Sequence, residues 1–167
     1  GLVGFKYDDG DGAQVRREVG PCLGGWSKLT GSDDIDIFGG PPRYVQCTGI
    51  GDVEVSRGLD FLTTNDQITD PICTITGLTM VYARTAGVVE IRLMRAKKDG
   101  TGSSSAVVTL TGDSTAGTFV TKTNAAIAHD VDPTYSYWLD AVLDPDAAAD
   151  DVKLSFVQIA YKKARVE

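Results

Sequence analysis

The chain has 167 residues, 42% of them hydrophobic and 23% charged, and sixteen Lys and Arg stand against twenty-three Asp and Glu for a net charge of −7. A chain of that length builds one core and buries roughly 70% of its unfolded surface, with no need of a metal or disulfide staple. The acidic balance repels phosphate backbones and so excludes general nucleic-acid binding, and no apolar run approaches the ~20 residues of a membrane span.

Residues 1–43 are rich in Gly, Asp and Pro, as in Asp8-Asp9-Gly10-Asp11-Gly12, Gly20-Pro21 and Gly39-Gly40-Pro41-Pro42. Phe5, Tyr7, Trp26, Ile35, Ile37 and Phe38 occur there without a sustained period. The segment therefore reads as an irregular N-terminal arm with loops packing on the rest of the chain, not as a second core. Residues 44–167 read as a single domain. Its strand signals begin at Arg43-Tyr44-Val45-Gln46-Cys47-Thr48 and Asp52-Val53-Glu54-Val55. A longer strand runs through Ile75, Leu78, Met80 and Tyr82. After the Thr85-Ala86-Gly87 turn its partner places Val89, Ile91 and Leu93 on one face and Glu90, Arg92 and Met94 on the other. Lys97-Lys98-Asp99-Gly100-Thr101-Gly102 forms an exposed loop before Val107–Leu110, and residues 117–123 add a short strand.

The last two strands carry the clearest phase. Tyr135, Tyr137, Leu139, Ala141 and Leu143 alternate on one face, with Trp138 and Val142 opposite. Val152, Leu154 and Phe156 share a face, which Val157, Ile159 and Tyr161 then take over, a phase change that either a β-bulge or a strand buried on both sides near its end produces. Strands at this spacing, separated by Gly, Asp, Ser and Thr turns and with no long helical pattern, predict an all-β fold. The expected form is an antiparallel β-sandwich, jelly-roll-like.

Chemistry is sparse. Cys22, Cys47 and Cys73 form no CxxC pair, which speaks against zinc or iron–sulfur sites and favours reduced thiols; a Cys47–Cys73 disulfide is the lesser alternative. The one histidine, His129, precedes an Asp-Pro turn without any nucleophile motif, so a structural role at a strand end is expected and no catalytic residue is assigned. Asp8, Asp9 and Asp11, or Asp144, Asp146, Asp150 and Asp151, are candidate weak calcium ligands on flexible loops, though neither set completes an EF-hand. No other cofactor is expected. A glycosidase would need two carboxylates across a cleft, and Glu54 or Glu90 with an Asp are the residues that could supply them. Among the aromatics, Trp138 and Tyr44 are candidate stacking platforms for a sugar. Residues 1–73 hold six basic and twelve acidic residues, whereas the chain ends on Lys162, Lys163 and Arg165, a basic tail suited to a subunit interface.

Ile75–Tyr82, Val89–Arg95, Ala128-His129-Asp130-Val131-Asp132-Pro133-Thr134-Tyr135-Ser136-Tyr137-Trp138-Leu139 and the closing Val152–Tyr161 strand resemble a β-sandwich domain of tailed-phage virion proteins. The resemblance covers about half the chain and contains strand patterns and one turn, not a catalytic signature. It implies a non-enzymatic structural protein of capsid-decoration, head-fibre or tail-associated type. It further implies a homo-oligomer, a trimer by preference, that contacts other virion proteins after assembly in the host cytoplasm. The alternative is an extracellular carbohydrate-binding module or adhesin-like domain, expected if exposed aromatics line one sheet face. A hydrolase on the same scaffold is the third reading.

Overall fold

The computed structural model describes residues 14–18, 27–31, 35–38, 44–47, 51–59, 72–147 and 150–164. Asp8, Asp9, Asp11, Cys22, Trp26 and Arg165 lie outside the described residues, as does the side chain of Lys163. Strands account for the regular structure: β1 (Gln14–Glu18), β2 (Ser27–Gly31), β3 (Ile35–Phe38), β4 (Tyr44–Cys47), β5 (Val53–Gly58), β6 (Ile72–Arg84), β7 (Val88–Lys97), β8 (Ser105–Thr111), β9 (Val120–Asn124), β10 (His129–Asp130), β11 (Tyr135–Asp144) and β12 (Val152–Ala164).

They form two sheets, and every pairing is antiparallel. The five-stranded sheet runs β2-β5-β11-β7-β8. The seven-stranded sheet is centred on β6 and β12, whose outer edges are each shared between two shorter strands. β12 pairs with β4 at Leu154 and with β1 at Ala160, while β6 pairs with β9 at Met80 and with β10 at Ile75. The expected antiparallel β-sandwich is what the chain forms. Three strands also come from the first 43 residues, one reaching β12, one β5 and one β4. Their four or five residues between Gly, Asp and Pro clusters are too short to sustain a visible period in sequence.

The core lies between the sheets because the pleat sends alternate side chains to opposite faces. Leu139, Ala141 and Leu143 of β11 and Val89, Ile91 and Leu93 of β7 are fully buried against Leu78, Met80 and Tyr82 of β6 and Leu154, Val157 and Ile159 of β12. Each fully buried aliphatic chain contributes roughly 1.5–3 kcal/mol of transfer free energy. The phases expected for β7 and β11 are therefore those observed. In β12 the phase change is present, but it falls earlier than the sequence suggests. Leu154 pairs with Tyr82 and Phe156 with Val81, so the extra residue is Ser155. Phe156 consequently sits half-buried outside the core, and Val157 takes the inward position.

Two glycines fix how the sheets join. Gly87 turns β6 of one sheet into β7 of the other at φ 76°, and a Cβ there would collide with the Asp144 carbonyl oxygen. Gly112 packs under Tyr82, where a Cβ would lie 2.5 Å from the ring. That close approach lets the Tyr82 hydroxyl accept from the amides of Asp113 and Ser114, both at 2.9 Å, and donate to the Asp113 carboxylate at 3.1 Å. Cys47 and Cys73 are buried in the core as small hydrophobes, and the Cys47 thiol donates to the Gly51 carbonyl at 3.1 Å.

Candidate functional site

Strand parity sorts the outward residues of the five-stranded sheet into rows. β11 is its middle strand, flanked by β5 and β7. In one row Val142 stands between Glu54 and Glu90, with Thr111 beyond. In the next, Asp140 stands between Ser56 and Arg92, with Thr109 beyond. In the third, Trp138 stands between Gly58 and Met94. Gly58 has no side chain, so β5 contributes no side chain to pack on that flank of the half-buried indole.

The electrostatics of this face are unbalanced. Arg92 donates from Nε to Glu90 Oε1 at 2.5 Å, and its Nη1 lies 3.9 Å from Glu54 Oε1. Thr111 Oγ1 donates to the other Glu90 oxygen at 2.8 Å, so both oxygens of Glu90 are engaged. Glu54 is less well provided. Burial, then the charge and hydrogen-bonding contact of Asp140, raise its pKa above the ordinary carboxylate value, and Arg92 only partly opposes them. Asp140 itself is 3% exposed, and its Oδ1 has no hydrogen-bond partner. It is also the one polar or charged residue among the described residues that is fully buried. A buried acceptor left unsatisfied costs of order 1–3 kcal/mol, so the centre of this sheet face carries a local cost.

The two aromatics expected to stack on a ligand do not share a surface. Trp138 alternates with core residues Tyr137 and Leu139 and therefore faces out of the five-stranded sheet. Tyr44 precedes core residue Val45 and faces out of the seven-stranded sheet. There it lies under the Lys153 ammonium, 5.1 Å from the ring centroid, and 5.6 Å from the Phe119 ring.

Among the described residues no three His, Cys, Asp or Glu side chains gather as a metal ion would need. In the expected calcium loop the described carboxylates accept hydrogen bonds from the protein itself. Asp146 accepts from the Gly87 amide at 3.2 Å, Asp150 from the Ala147 amide at 2.7 Å, and Asp151 from Gln46 at 3.3 Å and Lys153 at 3.2 Å. Asp144 is half-buried, and burial, Asp52 and Asp146 raise its pKa. His129 sits in a structural corner. Its Nε2 shares a hydrogen bond of 3.0 Å with the Tyr137 hydroxyl, which also accepts from the Asp132 amide, and burial followed by Arg95 lowers its pKa. Lys162 is exposed at the end of β12, where it pairs across the strands with Gln14 and Thr74.

Sequence alone marks Glu54, Glu90 and Trp138 as site candidates and gives no site role to Asp140 and Arg92. The one visible signal of those two is a charge at an outward position in the middle of an otherwise apolar strand pattern.

No family model matches the chain, and no curated protein matches it in sequence. Among solved structures it is similar to a xylan-binding module, CBM15, at 14% identity and a TM-score of 0.50, covering 89% of this chain and 97% of that one. It is equally similar to the family 11 carbohydrate-binding module of a cellulosomal cellulase of Clostridium thermocellum, at 11% identity and a TM-score of 0.50, covering 91% and 95%. At these identities the likeness concerns the β-sandwich fold.

Proposed function

We propose that the chain is a non-catalytic glycan-binding module that uses the outward face of its five-stranded sheet. The observation that carries this reading is Trp138, half-buried on the outward face of the middle strand, with polar side chains in the two rows beside it. A sugar offers an apolar ring face and a rim of hydroxyl donors. Trp138 supplies the stacking surface, Arg92 in the adjacent row supplies a donor, and Glu54 in the row beyond supplies an acceptor. The fold shared with two carbohydrate-binding modules supports the reading. A glycan ligand also implies an extracellular setting, where polysaccharides are met.

A hydrolase reading is weaker on the same face. Glu54 and Glu90 flank β11 and are two strand spacings apart, about 9–10 Å between backbones, a separation that would suit two catalytic carboxyl groups. Glu90, however, is held by Arg92 and Thr111, which leaves it neither mobile nor short of a partner. The virion role implied by the resemblance has no comparable observation behind it among the described residues.

Isothermal titration against soluble xylan, mixed-linkage glucan, mannan and a glucosamine polymer tests the proposal. Binding that Trp138→Ala removes, with no release of reducing sugar, supports a module. Absence of binding to every polysaccharide, with a stable trimer by light scattering, would return the case to a structural virion protein.

A further inference from the structure

Residues 125–134 carry the chain from β9 of the seven-stranded sheet to β11 of the five-stranded one. The ladder they form is two residue pairs long: β10 sets His129 against Ile75 and Asp130 against Thr74. Beside it the Val131 amide donates to the Cys73 carbonyl at 2.7 Å, and Thr74 Oγ1 donates to Asp130 at 2.6 Å. Ile127 and Val131 pack half-buried against the core, so this strap covers apolar surface with little ladder of its own. Such segments open before the rest of a fold.

The bond that ties the strap to the other sheet runs through His129. Its Nε2 lies 3.0 Å from the hydroxyl of Tyr137, a residue 4% exposed. That hydroxyl already accepts from the Asp132 amide at 3.0 Å. It has one proton to give, and Nε2 of a neutral ring protonated on Nδ1 is the acceptor in reach. A proton on Nε2 would face the hydroxyl with two donors and leave its own proton without an acceptor among the described residues. The surrounding charges pull both ways. Arg95 of β7 opposes a cation on the ring, whereas Asp130 and Asp132 favour one. Both carboxylates already accept hydrogen bonds, from Thr74 and Thr134, and across β6 the exposed Lys162 pairs with Thr74. Burial and Arg95 prevail and hold the imidazole below its ordinary pKa.

We infer that residues 125–134 form an acid-released strap: neutral His129 latches it to Tyr137 across the two sheets, and uptake of a proton at Nε2 opens the latch. Folding disfavours the imidazolium, so as pH falls below about 6.5 the released ring takes up its proton first. The strap therefore loses stability from there down to the pKa of the latched ring. This holds whatever the five-stranded face binds.

Amide exchange on the intact chain, read by NMR and corrected for intrinsic rates, tests the latch between about pH 7.5 and 5. Protection of the Val131 and Asp132 amides should fall about threefold or more across that range, while the Gly112 amide, bonded to Val89, keeps its own. The His129 ring should titrate below the usual imidazole value, and Arg95→Gln should move its midpoint upward. His129→Gln keeps a neutral acceptor beside Tyr137 and should abolish the fall in protection. Should that variant lose its native melt, the ring titration and its shift in Arg95→Gln decide alone.

A ring that titrates at or above the usual value, or Val131 protection that stays constant through the titration, would overturn the latch. A fall that survives His129→Gln would belong to Asp130 or Asp132 and overturn it as well.

Discussion

The two outward faces of this sandwich are built from the same kind of strand and differ in how well their polar groups are matched. On the seven-stranded sheet the matching is close: Lys153 reaches Asp151 at 3.2 Å and lies over Tyr44, Gln46 donates to Asp151, and Thr79 and Thr123 share a hydrogen bond of 2.9 Å. On the five-stranded sheet Asp140 Oδ1 is orphaned, and Glu54 is pushed toward its protonated form. One face is optimised for the folded chain alone. The other keeps a local cost, and such costs concentrate where proteins bind things.

The largest effect should come from the point where the two sheets meet. Gly87 carries β6 into β7, and an added methyl there runs into the backbone of Asp144 and Pro145 while the φ of 76° disfavours any side chain. Gly87→Ala should lower stability by about 3 kcal/mol or more in urea unfolding, since a positive φ and a backbone clash add. Both faces depend on that turn, so the variant should damage glycan binding and melting together. Loss of one without the other would mean that the faces are less coupled than the topology implies.

Binding should separate the faces. Trp138→Ala is expected to weaken glycan affinity about tenfold or more, roughly 1.4 kcal/mol, whereas Tyr44→Ala should leave it within about twofold because the two rings point out of different sheets. A reversed result in titration calorimetry would move the site to the Tyr44–Phe119 surface.

Phase within a strand is the part of this fold that sequence makes visible. The alternation of Tyr137, Leu139 and Ala141 against Trp138, and of Val89, Ile91 and Leu93 against Glu90 and Arg92, is local, so it is legible without tertiary information. The bulge in β12 is legible for the same reason, though its position is displaced because Phe156 looks like a core residue whichever face it takes. Sequence does not show which sheet each strand joins. Tyr44 and Trp138 look alike as outward aromatics, and only the pairing of β4 with β12 and of β5 with β11 separates them. The approach of Glu54 to Asp140 is hidden likewise, since it depends on a register between strands far apart in the chain.

Asp140 offers a second contrast, between stability and function. Asp140→Asn gives Glu54 a potential donor in place of a second acceptor, so it should raise stability at neutral pH by about 1 kcal/mol while weakening binding by tying up Glu54. The pH dependence carries the same signature. Because folding raises the pKa of Glu54, the native state holds more protons than the unfolded chain just above the usual carboxylate range. The contribution of this group to stability therefore falls as pH rises through that window. Glu54→Gln should flatten that part of the melting profile; an unchanged slope would show that the strain lies elsewhere.

The smallest effect belongs to the settled face. Lys153→Met keeps the aliphatic stem over Tyr44 but deletes the ammonium from both the ring and Asp151, whose carboxylate side chain is 39% exposed. Solvent screens such a pair, and the cation–ring contact is partly hydrated, so the loss should be about 0.5–1 kcal/mol and should shrink with added salt. Glycan affinity should not change, because Lys153 is on the sheet opposite to Trp138. Urea melts at low and high salt, run beside titrations on the same variant, would test both halves. A large, salt-insensitive loss would show that the seven-stranded face also holds a charge whose removal leaves a buried partner stranded, and the contrast between the two faces would be smaller than their hydrogen bonding indicates.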